Sequence, residues 1–501
     1  MVRPYSDPEN SPSARLAGAA RSPAGLRLVV PIPRLTLSER RMLLALVDAL
    51  VLNVGLLSAL ALRFDYAFSL HSLAASPRYP LLLTVLWFVW SSFFDCYDLP
   101  SSSDASQSVW RTFRASLAAS LTYLAIPYLS PPFLVSRSTA LTFVLLATAS
   151  VPLWRLVYAS VLAQPAFQRR VLIVGAGRSG SELARLLSAT AAKGNPYAGS
   201  GYVAVGFVDD DPAKAGAMVE GLPVLGNRTA LNPLVNDYRV DLIALAITHA
   251  FEVRPELLQG LLGLRERGYS LIPMTELYEQ ITGRVPVNHA GGSLHVVLPL
   301  QDSPTRRIFG WIKRLGDILF ALAGLAVAGV LSPLVALANA LTSPGPLFYR
   351  QQRVGRHGSP FTVVKFRSMV PNAEADSGAV WAADHDARIT PVGRLLRRSR
   401  LDELPQCWNV LRGEMSLIGP RPERPEFVAE LVRQVPYYQA RHAVRPGITG
   451  WAQVRYRYGS SVDDARIKLE YDLYYVKHQG VYVELSILAK TAAVMLGRRG
   501  R

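Results

Sequence analysis

The chain is poor in cysteine, in lysine and in acidic residues. Its 501 residues include two cysteines, Cys96 and Cys407, far apart in the sequence. Two isolated thiols exclude a disulfide framework and the paired spacing of a zinc site. Lys and Arg number 54 against 37 Asp and Glu, so the net charge is +17. This excess predicts partners that carry negative charge.

Half of the residues are hydrophobic and the mean hydropathy is +0.19. That is too apolar for a nucleic-acid-binding protein of this charge and points to a membrane protein. We therefore expect no nucleic acid partner. Anionic lipid and phosphorylated substrates remain as partners for the basic residues.

The first 165 residues predict a tail followed by four membrane spans. Residues 1–40 are rich in Pro, Ser and Arg, which predicts a disordered basic tail rather than a signal peptide. Within 41–165, four apolar segments approach the ~20 residues that cross a bilayer: 41–62, 80–97, 115–135 and 139–162. Arginines before the first segment and after the fourth place both ends in the cytoplasm. Asp48, inside the first span, is expected to be structural, with a functional role as the alternative.

Residues 168–300 predict a Rossmann-like α/β domain. The stretch "RRVLIVGAGRSGSELARLL" reads as strand, glycine loop and helix, with Gly175, Gly177 and Gly180 in a G-x-G-x-x-G pattern. Asp209, at the end of a second strand, comes 29 residues after Gly180, later than the ~20 expected for an acid that binds a ribose. The loop therefore predicts either a bound nucleotide or a scaffolding or regulatory domain. None of the seven lysines follows a tyrosine by four residues, which argues against epimerase or dehydratase chemistry.

A fifth apolar segment covers about 315–341, at the start of a region that we delimit as 305–501. Ser332 and Pro333 interrupt it midway, where proline removes a helical hydrogen bond. Basic residues flank both ends, so we predict a re-entrant helix, broken at this dipeptide, that returns to the side it entered from. An ordinary span is the alternative.

The stretch "RSRLDELPQCWNVLRGEMSLIGPRPE" contains two adjacent acids, Asp402 and Glu403, among arginines. We predict a helix that begins at an N-cap, Ser399, and stops at Gly413, with both acids in its first turn. Acids there are either capping residues or a catalytic pair. Arg421, between two prolines, is either a phosphate-binding group or a salt-bridge partner.

Five motifs of the last third, taken together, resemble the bacterial sugar transferase family. They are "SPGPLFYRQQRVGRHG", "KFRSM", "RLDELPQCWNVLRGEMSLIGPRPE", "RPGITGWAQV" and "KLEYDLYYVKH". The match covers about 305–501, and the four spans with a Rossmann-like domain resemble the larger members. The C-terminal stretch is similar to an exopolysaccharide subgroup associated with PEP-CTERM protein sorting.

The resemblance implies a reaction in which a UDP-sugar and undecaprenyl phosphate give undecaprenyl-diphospho-sugar and UMP. It implies that Asp402 is the nucleophile and forms an aspartyl-phosphosugar intermediate. Glu403 would be a base or metal ligand, with Mg²⁺ beside the pair. The phosphate-binding residues would be Arg421, Lys365, Arg367 and Arg353.

The resemblance also implies a location and leaves one rival. We expect a multi-pass protein of the bacterial inner membrane, with a mainly α C-terminal catalytic domain and the soluble domains in the cytoplasm. A homo-oligomer is left open. The alternative is a non-catalytic membrane scaffold of a polysaccharide assembly complex that senses nucleotide. The sequence does not specify the sugar.

Overall fold

The structure is a computed structural model. It describes residues 36–64, 66–126, 130, 137–162, 168–188, 201–247, 254–290, 294–298, 304–371, 373, 386, 388–456, 459 and 461–496. Nearly all of the predicted tail, 1–35, lies outside these residues.

The N-terminal part is a helical bundle. Its helices are α1 (Leu37–Ala61), α2 (Tyr66–Ala75), α3 (Arg78–Phe93), α4 (Leu99–Ser103), α5 (Ala105–Ala125) and α6 (Arg137–Val157), which continues as a π-helical turn over Tyr158–Leu162. Four of them share one apolar core. It contains Leu52 and Leu56 of α1, Leu83 and Trp87 of α3, Ala115 and Tyr123 of α5, and Phe143 and Ala147 of α6.

Three helices among the described residues are long and apolar enough to cross a membrane: Ser38–Ala61, Arg137–Val161 and Arg306–Thr342. A fourth span is obtained if Ser69–Ala75 and Arg78–Phe93, which meet at 80°, count as one. The first and fourth predicted spans therefore coincide with apolar helices. The second belongs to the bent pair.

The predicted third span, 115–135, is wrong in its bounds. The helix covers Ala105–Ala125, because the side chain of Asp104 caps it by accepting from Gln107 N at 3.0 Å. Its buried face carries hydroxyl groups, and those of Thr112 and Ser116 donate to the carbonyls four residues earlier. These serine and threonine residues, together with Arg111 and Arg114, make the helix less apolar than the three candidate spans, although both hydroxyl groups are satisfied within the helix. Residues 127–129 and 131–136 lie outside the described part.

Asp48 forms a buried ion pair, which fits the structural role expected of it. Its carboxylate accepts two hydrogen bonds from Arg155 of α6, from Nε at 3.0 Å and Nη2 at 2.5 Å, and both side chains are fully buried. The same guanidinium donates to Cys96 O at 2.9 Å. A paired and hydrogen-bonded charge of this kind links α1 to α6 inside the bundle.

The middle part is a six-stranded sheet. Its strands are β1 (Arg169–Val174), β2 (Tyr202–Val208), β3 (Met218–Val219), β4 (Leu222–Gly226), β5 (Leu242–Leu245) and β6 (Ser270–Pro273), in the order β3-β4-β2-β1-β5-β6. Every pair is parallel except β3 with β4. The associated helices are α7 (Arg178–Leu187), α8 (Leu231–Asp237), α9 (Pro255–Glu266) and α10 (Met274–Thr282), followed by a short helix, α11 (Leu294–Val297). Parallel strands alternating with helices confirm the Rossmann-like fold.

The last part begins with a 39-residue helix, α12 (Pro304–Thr342). A hairpin follows, β7 (Phe348–Val354) and β8 (Pro360–Phe366). The remaining elements are α13 (Pro391–Arg398), α14 (Cys407–Arg412), β9 (Ser416–Ile418), α15 (Pro425–Gln434), β10 (Gly447–Thr449), α16 (Trp451–Arg455), α17 (Val462–Lys477) and α18 (Val481–Leu496).

Helix α12 stays helical through Ser332 and Pro333, so the predicted interruption of the helix is not present. Pro333 leaves the carbonyl of Gly329 without its helical N–H donor, and the hydroxyl of Ser332 donates to the preceding carbonyl, Ala328 O, at 2.7 Å. Apolar side chains are exposed along the helix, and Leu319, Val330 and Leu337 are each at least 60% exposed. This surface has the character of a lipid-facing helix.

Polar groups of the C-terminal part hold both ends of α12. Near its start, Lys313 Nζ lies 2.9 Å from Glu484 of α18 and donates to Ile418 O at 3.1 Å. Just past its end, Arg367 Nη2 donates to Ser343 O at 2.5 Å. The two ends therefore contact the same domain.

Candidate active site

The acid pair lies on a 3-10 turn, Leu401–Gln406, between α13 and α14. The predicted helix with Ser399 as N-cap is wrong: Ser399 caps the C-terminus of α13, and its hydroxyl donates to Leu395 O at 2.8 Å. Arg400 then takes a left-handed conformation with φ 58°, and Pro405, which has no N–H, prevents an α-helix across the turn. The predicted stop at Gly413 is confirmed, with φ 83°.

Glu403 is held by two cations. Its Oε1 accepts from Arg421 Nη2 at 2.8 Å and from Lys365 Nζ at 3.1 Å. Burial opposes ionisation of this carboxyl, but Arg421 and Lys365 outweigh burial and bring its pKa well below the ordinary value. Glu403 is therefore a persistent carboxylate. Lys365, whose pKa is lowered by burial and raised in part by Glu403, completes the cluster.

Asp402 differs from its neighbour. Its Oδ1 is buried and accepts no hydrogen bond from the part of the chain that the structure describes. Burial, and then the charge of Glu403, raise the pKa of this carboxyl, against the effect of Lys365, Arg397 and Arg421. Glu403 is thus paired with two cations, whereas Asp402 has an oxygen without a hydrogen-bond donor among the described residues. This division fits a nucleophile beside an orienting acid.

Arg421 lies in the loop of residues 420–423, Pro-Arg-Pro-Glu, which we call the PRPE loop. Its four backbone carbonyls each accept a hydrogen bond. The bonds are Gly447 N to Pro420 O at 2.9 Å, Arg441 Nη2 to Arg421 O at 3.0 Å, Arg353 Nη1 to Pro422 O at 3.0 Å and Val354 N to Glu423 O at 2.9 Å. Together with the two prolines, these bonds fix the backbone that carries Arg421.

Arg353 and Arg367, expected to bind phosphate, contact the protein itself in the structure, and their phosphate-binding role stays a prediction. Arg353 donates to the PRPE loop and to Gln351 Oε1 at 2.6 Å. Arg367 is 5% exposed and donates to Pro346 O, to Ser343 and to Met369 O. Both guanidinium groups therefore hold protein backbone, whereas Lys365 and Arg421 meet at the acid pair.

Four residues of this site were not predicted from the sequence. Arg397 and Arg400 contribute to the electrostatics of the acid pair, and they stand beside it in the sequence, where their proximity was visible. Arg441 and Asp472 come together only through tertiary packing, so sequence spacing gave no signal for them.

No group of three or more His, Cys, Asp or Glu side chains in the described ranges could hold a metal ion. A Mg²⁺ ion does not require such a group, because it is often bound by one or two carboxylates with water and substrate phosphates. The buried and unsatisfied Oδ1 of Asp402, next to a second carboxylate, fits that mode.

The glycine loop follows β1 and begins α7, as predicted. Gly175 has φ +106°, and a Cβ on Gly180 would lie 1.9 Å from Gly175 O, so both positions require glycine. A Cβ on Gly177 would meet nothing within 4 Å. Asp209 stabilises the loop, since its Oδ2 accepts a hydrogen bond from Ala176 N at 2.7 Å. The same oxygen lies 3.2 Å from Lys214 Nζ.

Comparison with known proteins places these features in a family. The family described as "Bacterial sugar transferase" matches residues 308–498, and the one described as "CoA-binding domain" matches residues 92–255. The first match contains the acid pair and the PRPE loop. The second contains the glycine loop.

Three curated relatives show how much of the chain is matched. A UDP-N-acetylgalactosamine-undecaprenyl-phosphate N-acetylgalactosaminephosphotransferase of Aeromonas hydrophila is 45% identical over 44% of this chain and 51% of its own length. A UDP-galactose-lipid carrier transferase of Erwinia amylovora is 29% identical over 92% of this chain and 97% of its own. A UDP-glucose:undecaprenyl-phosphate glucose-1-phosphate transferase of Xanthomonas campestris pv. campestris is 31% identical over 66% of this chain and 67% of its own.

The chain thus spans about half of the Aeromonas relative, two thirds of the Xanthomonas relative and nearly all of the Erwinia relative. Its matches include the segment that carries the acid pair. On this evidence, the chain belongs to the bacterial sugar transferase family.

Proposed function

We propose that this protein is a membrane phosphoglycosyl transferase. It transfers a sugar-1-phosphate from a UDP-sugar to undecaprenyl phosphate and releases UMP, as the first membrane step of exopolysaccharide repeat-unit synthesis. The observation that carries the proposal is the unsatisfied Oδ1 of Asp402 beside a Glu403 that two cations hold. The names of the three relatives support the substrate class.

The reaction has two steps at one phosphorus atom. The Asp402 carboxylate attacks the phosphorus that carries the sugar, and the bond from this phosphorus to the oxygen that bridges the two phosphates breaks. UMP leaves with that oxygen. A phosphate oxygen of undecaprenyl phosphate then attacks the same phosphorus and releases the Asp402 carboxylate. The atoms balance without an added proton.

Glu403 and its two cations set the electrostatics. Because its pKa is lowered, Glu403 is a weak general base, and the role of metal ligand and orienting group suits it better. It holds the ammonium of Lys365 and the guanidinium of Arg421 in place, where they stabilise the charge that develops on the phosphoryl oxygens. A Mg²⁺ ion held by the acid pair and the pyrophosphate would offset further charge.

We infer a re-entrant course for α12. A straight helix of 39 residues would be about 58 Å long, which is about twice the thickness of a bilayer core. The domain that follows contacts this helix near both ends, through Lys313 and Ser343, and also along its length, through Ala321 and Val335. In the proposed course the helix, although its residues stay helical through Pro333, bends at this proline and returns to the side from which it entered. The domain then lies on the cytoplasmic side, where UDP-sugars are found.

Cysteine labelling tests the topology. The native Cys96 and Cys407 are buried and would be replaced, and single cysteines would then be introduced in place of Arg307 and Arg356. The re-entrant model predicts that both sites react with a membrane-impermeant maleimide only from the cytoplasmic face. Labelling of residue 356 from the opposite face would refute it.

Purified protein tests the activity. With undecaprenyl phosphate and a panel of UDP-sugars, we expect release of UMP from at least one donor, dependent on the lipid. A non-catalytic scaffold would release none.

A further inference from the structure

The backbone carbonyl of Arg421 is bound by a buried arginine, Arg441. This arginine is 6% exposed, and its Nη2 donates to Arg421 O at 3.0 Å. It lies on a 3-10 turn, Tyr438–Ala443, rather than on the PRPE loop itself. A residue outside the loop therefore holds the backbone of Arg421, the loop residue whose side chain contacts Glu403.

Arg441 is in turn oriented by two partners. Its Nη2 donates to Asp472 Oδ2 at 2.6 Å, and its Nη1 donates to the Tyr438 hydroxyl at 2.6 Å. Asp472 lies on α17 and is 2% exposed. Charge-assisted hydrogen bonds of this length are strong and directional, so α17 fixes the guanidinium against the loop.

We propose that Arg441, oriented by Asp472, is a positioning residue for Arg421 in the transfer reaction. This inference rests on the proposed function. The prolines on either side of Arg421 limit the backbone rotations that could compensate for a lost bond. A shift of the Arg421 carbonyl therefore moves its guanidinium away from Glu403.

The chain of contacts runs from Asp472 through Arg441 and Arg421 to Glu403, the neighbour of Asp402. Displacement of a catalytic group by about 1 Å can cost on the order of 100-fold in rate. Neither Arg441 nor Asp472 needs to touch a substrate for this effect. They act through the position of Arg421.

The chain offers a matched control two residues away. Glu470 is also on α17, is also buried, and lies 3.5 Å from an arginine, Arg284. Within the described chain, Glu470 is placed by this arginine and by Val285, whose N–H donates to Glu470 O at 3.0 Å. Asp472→Asn and Glu470→Gln are therefore equivalent changes in chemistry and burial, and only the first one weakens the hold on Arg421.

The experiment measures UMP release, kcat, KM and the pH profile for the full-length protein in detergent. For Asp472→Asn we expect kcat to fall by roughly 10- to 100-fold, with KM for the UDP-sugar changed much less. We expect Glu470→Gln to keep the kcat of the unaltered protein. Arg441→Lys keeps the positive charge beside Asp472 and should retain part of the activity. If Asp472→Asn does not fold, Arg441→Lys replaces it as the test variant.

The pH profile separates positioning from simple loss of stability. The groups that face the acid pair are Lys365 of β8, Arg397 of α13, Arg400 beside the turn and Arg421. If Arg421 moves away, its charge no longer favours the carboxylates, and the acid limb of kcat shifts to higher pH. A protein that is only less stable would lose activity without moving this limb.

Two results would overturn the inference. One is a kcat and an acid limb that are both unchanged in folded Asp472→Asn and Arg441→Lys. The other is a fall in kcat for Glu470→Gln as large as the fall for Asp472→Asn. The proposed function fails in a different way, by the absence of UMP release from the unaltered protein.

Discussion

Arg421 and Glu403 form the ion pair around which the candidate active site is built. Arg421 Nη2 lies 2.8 Å from Glu403 Oε1, and Lys365 Nζ reaches the same oxygen at 3.1 Å. One carboxylate oxygen therefore anchors two cations, one on a strand and one on the PRPE loop. Asp402 is left with a buried oxygen that no described group satisfies.

Glu403→Gln should lower both activity and stability. The amide carries no charge, so Lys365 and Arg421 would face each other without compensation. Because both cations are partly exposed, we expect a loss of about 1–3 kcal/mol in the free energy of unfolding, less than for a fully buried pair. We expect kcat to fall by about 100-fold or more. Denaturation in detergent and UMP release measure the two effects, and a variant with unchanged kcat would contradict the role of Glu403.

Arg367→Lys distinguishes a structural from a phosphate-binding arginine. The guanidinium holds Ser343, Pro346 and Met369, and lysine cannot replace all of these bonds. We expect about 1–3 kcal/mol of lost stability with KM for the UDP-sugar within about twofold of the original. Arg350→Lys, an exposed arginine on β7, is the control. A tenfold higher KM at unchanged stability would instead support phosphate binding.

Two alanine substitutions in the glycine loop should differ. Gly180→Ala places a Cβ 1.9 Å from Gly175 O and should cost roughly 3 kcal/mol, because the clash is with backbone that cannot move aside easily. Gly177 is the N-cap of α7, and a Cβ there would meet nothing within 4 Å. Gly177→Ala should therefore cost at most about 1 kcal/mol, because alanine is the poorer N-cap. Thermal unfolding in detergent compares them. If the loop binds a nucleotide, Gly177→Ala should weaken that binding, and equal destabilisation by the two changes would refute the packing argument.

Glu470 should make stability depend on pH. Burial, opposed in part by Arg284 and Arg466, raises its pKa from 4.5 to about 7. Because the folded protein holds this proton more tightly than the unfolded chain, the contribution is complete below pH 4.5 and is lost as the pH rises through 7. The loss is on the order of 3 kcal/mol.

The matched measurement is thermal unfolding between pH 5 and pH 8. Relative to Glu470→Gln, which cannot titrate, the unaltered protein should lose stability across this range. Parallel curves for the two proteins would contradict the shifted pKa.

Local signals in the sequence located several features of the fold and the site. Gly175 and Gly180 lie where the strand, turn and helix pattern requires them, because a missing Cβ is a local property. Gly413 ends its helix in a left-handed conformation for the same reason. The family resemblance implied Lys365 and Arg421 as phosphate-binding residues of the same site, but their ion pairs with Glu403 were not predicted.

Other features depend on tertiary structure. Ser399 looked like an N-cap, but α13 continues up to Arg398 and Pro405 allows only a 3-10 turn after it. The bounds of α5 were missed because its buried hydroxyls bond within the helix. Arg441 and Asp472, 31 residues apart, meet only when α17 packs beneath the PRPE loop.

Covalent capture tests the central claim most directly. The protein would be mixed with UDP-sugars that carry ³²P on the sugar-linked phosphate, without lipid acceptor, then quenched and mapped by peptide analysis. The account predicts label on Asp402, its discharge by added undecaprenyl phosphate, and neither label nor turnover in Asp402→Asn. Turnover at the unaltered rate in Asp402→Asn, or UMP release with label on another residue, would contradict it.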